Sequence, residues 1–169
     1  MWRPFCFLVF ISPIRKEFPM NITIHTHSNS TSSYYKEGRK EYEKRLSRYC
    51  KIKSIFYKNE KQQQKAIEKI KQISFSAGKD ALVFVTAGSS LSNMDSPALA
   101  SYIEEKGVQG ISNLHFLIGF SETDSMELSD VSDHLSISNM TITEDLLSLI
   151  LEEQIYRAYR IMNHEPYHK

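Results

Sequence analysis

Near the end of the chain, Glu153 and Arg157 stand four residues apart, and Tyr167 and His168 follow directly on Pro166. A four-residue spacing puts the first two on one helix face, where by spacing alone they read as a surface ion pair worth about 0.3–0.5 kcal/mol. The second pair is harder to set aside. Pro166 stops the helix and extends the chain before it. A frayed tail has no need of an aromatic–imidazole pair, whereas a tyrosine ring suits an interface or a stacked base. An imidazole titrating near neutral pH can take or relay a proton. Tyr167 and His168 are therefore candidates for a substrate-facing or catalytic role.

Other chemistry-bearing residues are less telling. His25 and His27 share one face of a strand-like segment, a spacing that could begin a metal site, but no third ligand is evident and no metal is expected. His115, His134 and His164 read as structural or exposed. The sequence holds no zinc spacing and no phosphate-loop motif. Cys6 and Cys50 cannot form a disulfide framework and read as reduced thiols of a cytosolic protein.

These residues need elements to hold them. "NITIHTH" alternates apolar and polar from Asn21 and reads as a strand. "YYKEGRKEYEKRLSRY" reads as a helix, "CKIKSIFY" as a strand, and "EKQQQKAIEKIKQI" as a helix with Ala66, Ile67, Ile70 and Ile73 at helical spacing. "ALVFVTA" is a strand covered on both faces. "SPALASYIEEKG" reads as a helix capped by Ser96, with Pro97 in its first turn and Gly107 at its end. "LHFLIGF" and "HLSIS" are further strands, and one long helix runs from Asp145 to Met162, with Leu147, Leu151, Ile155, Ala158 and Met162 as its core stripe. Strands alternating with helices predict an α/β sandwich with a mainly parallel sheet. Ligands of such folds bind beyond the carboxyl ends of the strands. Gly88 and Gly119 fall at two of those ends, and a third end, after "HLSIS", runs into "NMTIT". Three backbone loops could thus cradle one ligand.

The formal net charge of +1 conceals an asymmetry. Residues 34–72 hold thirteen Lys/Arg against five acids, and residues 73–169 hold five against fourteen. A basic face for a polyanion follows from such a split, with Lys36, Arg39, Lys40, Lys44, Arg45 and Arg48 prominent; the alternative is two solvated amphipathic helices. At the N-terminus "FCFLVFI" is too short to span a bilayer, and prolines at 4, 13 and 19 oppose a helix. Residues 1–19 are expected to be an extension outside the native domain, with Met20 the true start and 20–169 a single domain.

The final helix and tail resemble the SPOUT-class large-subunit ribosomal RNA methyltransferases of the RlmH type. The matching pieces are Glu153, "YRA" at Tyr156–Ala158, Ile161 and "PYHK" at Pro166–Lys169. Upstream, "MNITI" at Met20, "EYEKRL" at Glu41–Leu46, "FLIG" at Phe116–Gly119 and "LSISNMTIT" at Leu135–Thr143 match more weakly. The resemblance implies a SPOUT α/β fold with a C-terminal trefoil knot, a homodimer, and a cytoplasmic, S-adenosylmethionine-dependent enzyme that methylates N3 of a pseudouridine in 23S ribosomal RNA of the assembled ribosome. It implies cofactor loops at Ala87–Gly88, at Ile118–Gly119 with Phe120–Ser121, and at Ile137, Ser138, Asn139, Met140, Thr141 and Ile142. It makes Glu153, Arg157, Tyr167 and His168 the catalytic or substrate-facing residues, with Arg157 holding an RNA phosphate or the base and Glu153 fixing Arg157.

The sequence also departs from the family's pattern. "GFSET" stands where a further glycine is usual after Gly119, so Phe120 needs room for a ring. "TITE" stands for "TLPH", placing Thr143 and Glu144 at the positions of Pro and His, and Ser148 replaces an arginine. These changes motivate two rival readings: an RNA- or ribosome-binding SPOUT protein with a degraded cofactor site, and a SPOUT methyltransferase with another RNA target. A generic nucleotide-binding α/β protein is a more distant third.

Overall fold

Alternation in Asn21–His27 sends Ile22 and Ile24 into a core at 1% and 0% exposure while His25 points to the opposite side of the strand. The structure, a computed structural model, describes residues 20–28, 32–88, 94–120 and 132–166. Its elements are β1 (Asn21–His27), α1 (Ser33–Leu46), β2 (Lys51–Tyr57), α2 (Glu60–Ala77), β3 (Asp80–Ala87), α3 (Ser96–Val108), β4 (Asn113–Ile118), β5 (Ser132–Ser138) and α4 (Glu144–Met162). The strands form one sheet in the order β2-β1-β4-β3-β5, with every described pairing parallel. This is the α/β architecture that the alternation of elements predicts.

The near-continuous apolar run of β3 follows from burial on both faces. Ala81, Val83 and Val85 join the main core, which α1, α3 and α4 cover, whereas Leu82 and Phe84 join Ile67 and Ile70 of α2 and Leu117 on the other side. On α4, Leu147, Leu151, Ile155 and Ala158 are buried as their helical spacing predicts, and Met162 packs against the same core at its edge. Among the described residues, no helix is long and apolar enough to cross a membrane.

Two helix ends differ from expectation. Asp95, rather than Ser96, caps α3, its carboxylate accepting from Ala98 N at 2.8 Å. Gly107 lies within that helix; Gly110, at φ +87°, supplies the left-handed turn that closes it, with Ile111 N donating to Lys106 O.

The strand order creates a crevice. From β1 the chain leads to β2 on one side, whereas from β4 the next strand, β5, lies on the other. β1 and β4 are neighbours, so their C-terminal ends border the topological switch point, where parallel α/β sheets bind ligands.

Candidate active site at the strand ends

Gly88 and Gly119 are both left-handed, at φ +78° and +74°. A Cβ on Gly88 would stand 3.2 Å from Thr141 Cγ2 and 3.3 Å from Thr141 Cα. Gly88 N also donates to Ser138 O at 2.8 Å, and a register shift at Thr86/Ala87 pairs Ala87 with Ser138, skipping Ile137. The loop after β3 therefore lies directly on the loop after β5. A Cβ on Gly119 would stand 2.7 Å from His27 O and 2.9 Å from Glu144 Cγ. The loop after β4 thus meets the first turn of α4, which follows directly on Thr143. Ala87–Gly88 and Ile118–Gly119 thus end β3 and β4, and Ile137–Ile142 leads from β5 toward α4, with Thr141 against Gly88, Glu144 against Gly119 and Met140 exposed. Phe120 does not turn its ring into this cradle. The ring packs on the α2 side, against the cluster of Ile67, Ile70, Leu82, Phe84 and Leu117, and edge-on to Tyr57 at 6.3 Å. Ser121 lies outside the described residues.

A cavity of about 480 Å³ opens beside these loops, lined by His27, Ser28, Ser32, Tyr34, Tyr35, Thr143, Glu144 and Asp145. The Tyr34 and Tyr35 rings lie 4.5 Å apart, and Tyr34 is 64% exposed. Asp145 is turned inward: its Oδ2 accepts from Ser28 Oγ at 3.1 Å, and Arg39 Nη1 stands 3.8 Å from its Oδ1. This corrects one expectation. Arg39 is not a surface phosphate contact but a buried guanidinium, 4% exposed, stacked 4.2 Å over the Phe56 ring. Lys36, Lys40, Lys44, Arg45 and Arg48 are exposed, and Lys44, Arg45 and Arg48 line a second, basic cavity with Glu41 and Tyr156.

Glu153 and Arg157 do pair, with Glu153 Oε1 accepting from Arg157 Nη2 at 2.7 Å and from Nε at 3.1 Å. Gln154 Nε2 donates to the other carboxylate oxygen and is itself held by Ser96 of α3. Nine residues along α4 from Glu144, roughly 14 Å at the α-helical rise, separate this pair from the first turn. Tyr167 and His168 lie outside the described residues. Pro166, which precedes them, is placed by the end of α4. His164 adopts φ +55°, its N–H donates to Ile161 O, and Glu165 N donates to Arg160 O, a pattern that normally calls for glycine. The Glu165 carboxylate then takes an ion pair from Arg160 Nε at 2.6 Å and a hydrogen bond from Tyr49 at 2.8 Å. Pro166 therefore leaves the helix from a fixed point.

Two buried polar features were invisible to spacing. Tyr57 OH, His25, His115 and Asp80 form a chain across four strands, at 2.7 Å, 3.2 Å and 3.4 Å. Burial, then the neighbouring His115 and Lys53, push His25 down to about 3, so it stays neutral. Glu152, fully buried on α4, is pushed up to about 8 by burial, against a hydrogen bond from Ser54. Among the described residues, no group of three or more His, Cys, Asp or Glu is arranged to hold a metal.

A parallel α/β sheet with glycine-bearing loops packed around the start of its last helix defines the class. The family model described as "Predicted SPOUT methyltransferase" matches residues 20–168, and the chain belongs to this family. It is 40% identical over 159 residues to the ribosomal RNA large subunit methyltransferase H 1 of Clostridium perfringens, covering 89% of this chain and 100% of that protein. The large subunit methyltransferase H proteins of Clostridium tetani and Shouchella clausii are 40% and 38% identical over the same shares.

Proposed function

We propose that this protein methylates N3 of a pseudouridine in 23S ribosomal RNA, with S-adenosylmethionine as methyl donor. The observation that carries this reading is the convergence of three strand-end loops at Gly88, Gly119 and Thr141, in a chain that spans the full length of relatives named as large-subunit rRNA methyltransferases. The glycines let the loops close on one another: an added Cβ would crowd Thr141 at Gly88 and collide with His27 O and Glu144 Cγ at Gly119, so the loops that would carry the cofactor are held in place by these contacts. Ala87, Gly88, Ile118, Gly119 and Ile137–Ile142 would hold S-adenosylmethionine, which when bound supplies an activated methyl group. The Phe120 ring, packed on the α2 side, leaves that cradle open. This favours an enzyme over a binding protein with a degraded site.

The proposal extends to a C-terminal trefoil knot, supported by the close seating of residues 141–144 on the other two loops, and to a homodimer. Roughly 20 Å of helix separates Arg157 from the start of α4, so a second subunit's tail is the natural source of Tyr167 and His168. In this arrangement Glu153 aims Arg157 at RNA, Tyr167 contacts the base, and His168 relays the proton outward. Cytoplasmic location follows from a ribosomal substrate. The test is incubation with ribosomes and labelled S-adenosylmethionine, followed by nuclease digestion and mass analysis. N3-methylpseudouridine in 23S rRNA is expected; its absence, or label on another base, sinks the reading. Light scattering should give the mass of two chains.

A further inference from the structure

We propose that the cavity between the starts of α1 and α4 is the pocket for the acceptor base, with Tyr34 as its stacking surface and the Glu144 carboxylate as the group that takes the N3 proton. This rests on the methyltransferase reading and deepens it. The cavity, about 480 Å³, has room for a nucleobase with its ribose. It shares a wall with the cofactor cradle, because His27 and Glu144 both line it and both crowd Gly119. Methyl donor and acceptor must come within about 3–3.5 Å of each other, so the base must enter through a space of this kind.

The lining chooses the ligand. Among the described residues it holds two carboxylates and no lysine or arginine, which disfavours a phosphate. A uracil-type edge instead offers an N–H to an anionic acceptor. Asp145 is committed to Ser28 and Arg39, which leaves Glu144, exposed at the first turn of α4, as the carboxylate facing the cavity. The other titratable groups around it are His27 from β1, Tyr34 and Tyr35 from α1, and Asp145 itself. At the rim, Tyr34 is 64% exposed and braced against Tyr35. A rigid exposed ring beside a polar pocket is the usual means of holding an unstacked base. The step balances: the N3–H bond breaks with its proton passing to Glu144, the N3 electron pair forms the new N–CH₃ bond, and the methyl–sulfur bond breaks to leave a neutral thioether.

The experiment uses the full-length protein with Glu144→Gln, Glu144→His and Tyr34→Ala, each checked by thermal melting and S-adenosylmethionine calorimetry. Single-turnover methylation of ribosomes by Glu144→Gln should fall about 100-fold, with cofactor affinity unchanged and the acidic limb of the pH–rate profile lost. Glu144→His, which restores a base, should recover most of the rate. Tyr34→Ala should weaken a short single-stranded RNA with a central pseudouridine about tenfold by anisotropy. Wild-type rates in Glu144→Gln, or loss of the acidic limb in His168→Ala instead, would overturn the role of Glu144. Unchanged RNA affinity in Tyr34→Ala would overturn the pocket. A wild-type protein inert on ribosomes would instead sink the methyltransferase reading, and the RNA-binding arm would still decide the pocket.

Discussion

A Cβ added to Gly119 would lie 2.9 Å from Cγ of Glu144 and 2.7 Å from the carbonyl oxygen of His27. The side chain could swing away, but the carbonyl belongs to a strand and cannot. Gly119→Ala should therefore combine the left-handed penalty, about 1–2 kcal/mol, with displacement of the loop from the start of α4. Gly110→Ala is the control, because Gly110 has φ +87° and nothing within 4 Å of an added Cβ. Both variants should melt earlier. Only Gly119→Ala should lose more than tenfold in S-adenosylmethionine affinity by calorimetry, and equal affinities would remove the loop from the cofactor site.

The clamp of Glu165 by Arg160 and Tyr49 gives the tail a fixed origin. Removing Tyr167–Lys169 should abolish methylation while leaving cofactor binding within about tenfold, a difference of roughly 1.4 kcal/mol. Glu165→Ala should give an intermediate loss in kcat by freeing the exit without deleting the rings. A truncated protein that methylates ribosomes normally would leave the tail without a catalytic part.

Deleting residues 1–19 should leave folding, dimerisation and methylation unchanged. The match to the family, which begins at Met20, supports this expectation. Insoluble protein after the deletion would mean that the segment packs on the domain.

How much of this was legible depends on how local each feature is. The alternation of strands and helices was readable, because burial on one face or two leaves its period in the residues themselves, as in β3 and α4. Sheet order was not, because β1 pairs with β4 across some ninety residues and nothing in either strand names its partner. The same holds for the His25–His115 contact. Charge counting placed Arg39 on a surface, since it cannot see that Asp145, more than a hundred residues away, draws the guanidinium inward. The cavity had a faint signal: paired tyrosines directly after the polar "SNSTSS" stretch, at a helix start.

Glu152 and His25 tilt stability with pH in opposite directions. Folded Glu152 keeps its proton up to about 8 rather than the ordinary 4.5, so the native state binds more protons than the unfolded chain across that window. Stability must fall as pH rises through it. His25 stays neutral down to about 3, whereas the unfolded imidazole protonates near 6.5, so stability falls as pH drops between those values. Glu152→Gln keeps an acceptor for Ser54 without a charge to bury. Its melting temperature should exceed wild type at about pH 9 and match it at about pH 5. Parallel curves over that range would mean that Glu152 ionises normally.

Surface cations and the buried one should respond differently to salt. Lys44, Arg45 and Arg48 are exposed around one basic cavity, whereas Arg39 is committed to Asp145 and Phe56. Phosphate contacts release counterions, so each one lost should lower the slope of log affinity against log salt by about 0.7–0.9. The triple variant Lys44→Glu, Arg45→Glu, Arg48→Glu should weaken ribosome binding and flatten that slope while melting near wild type. Arg39→Met should do the reverse. It strands the Asp145 carboxylate in the interior, a loss on the order of 3–5 kcal/mol for a broken buried pair, and it should leave the salt slope intact. If Arg39→Met flattens the slope as much as the triple variant, the guanidinium reaches RNA after all, and its pairing with Asp145 opens when the ribosome binds.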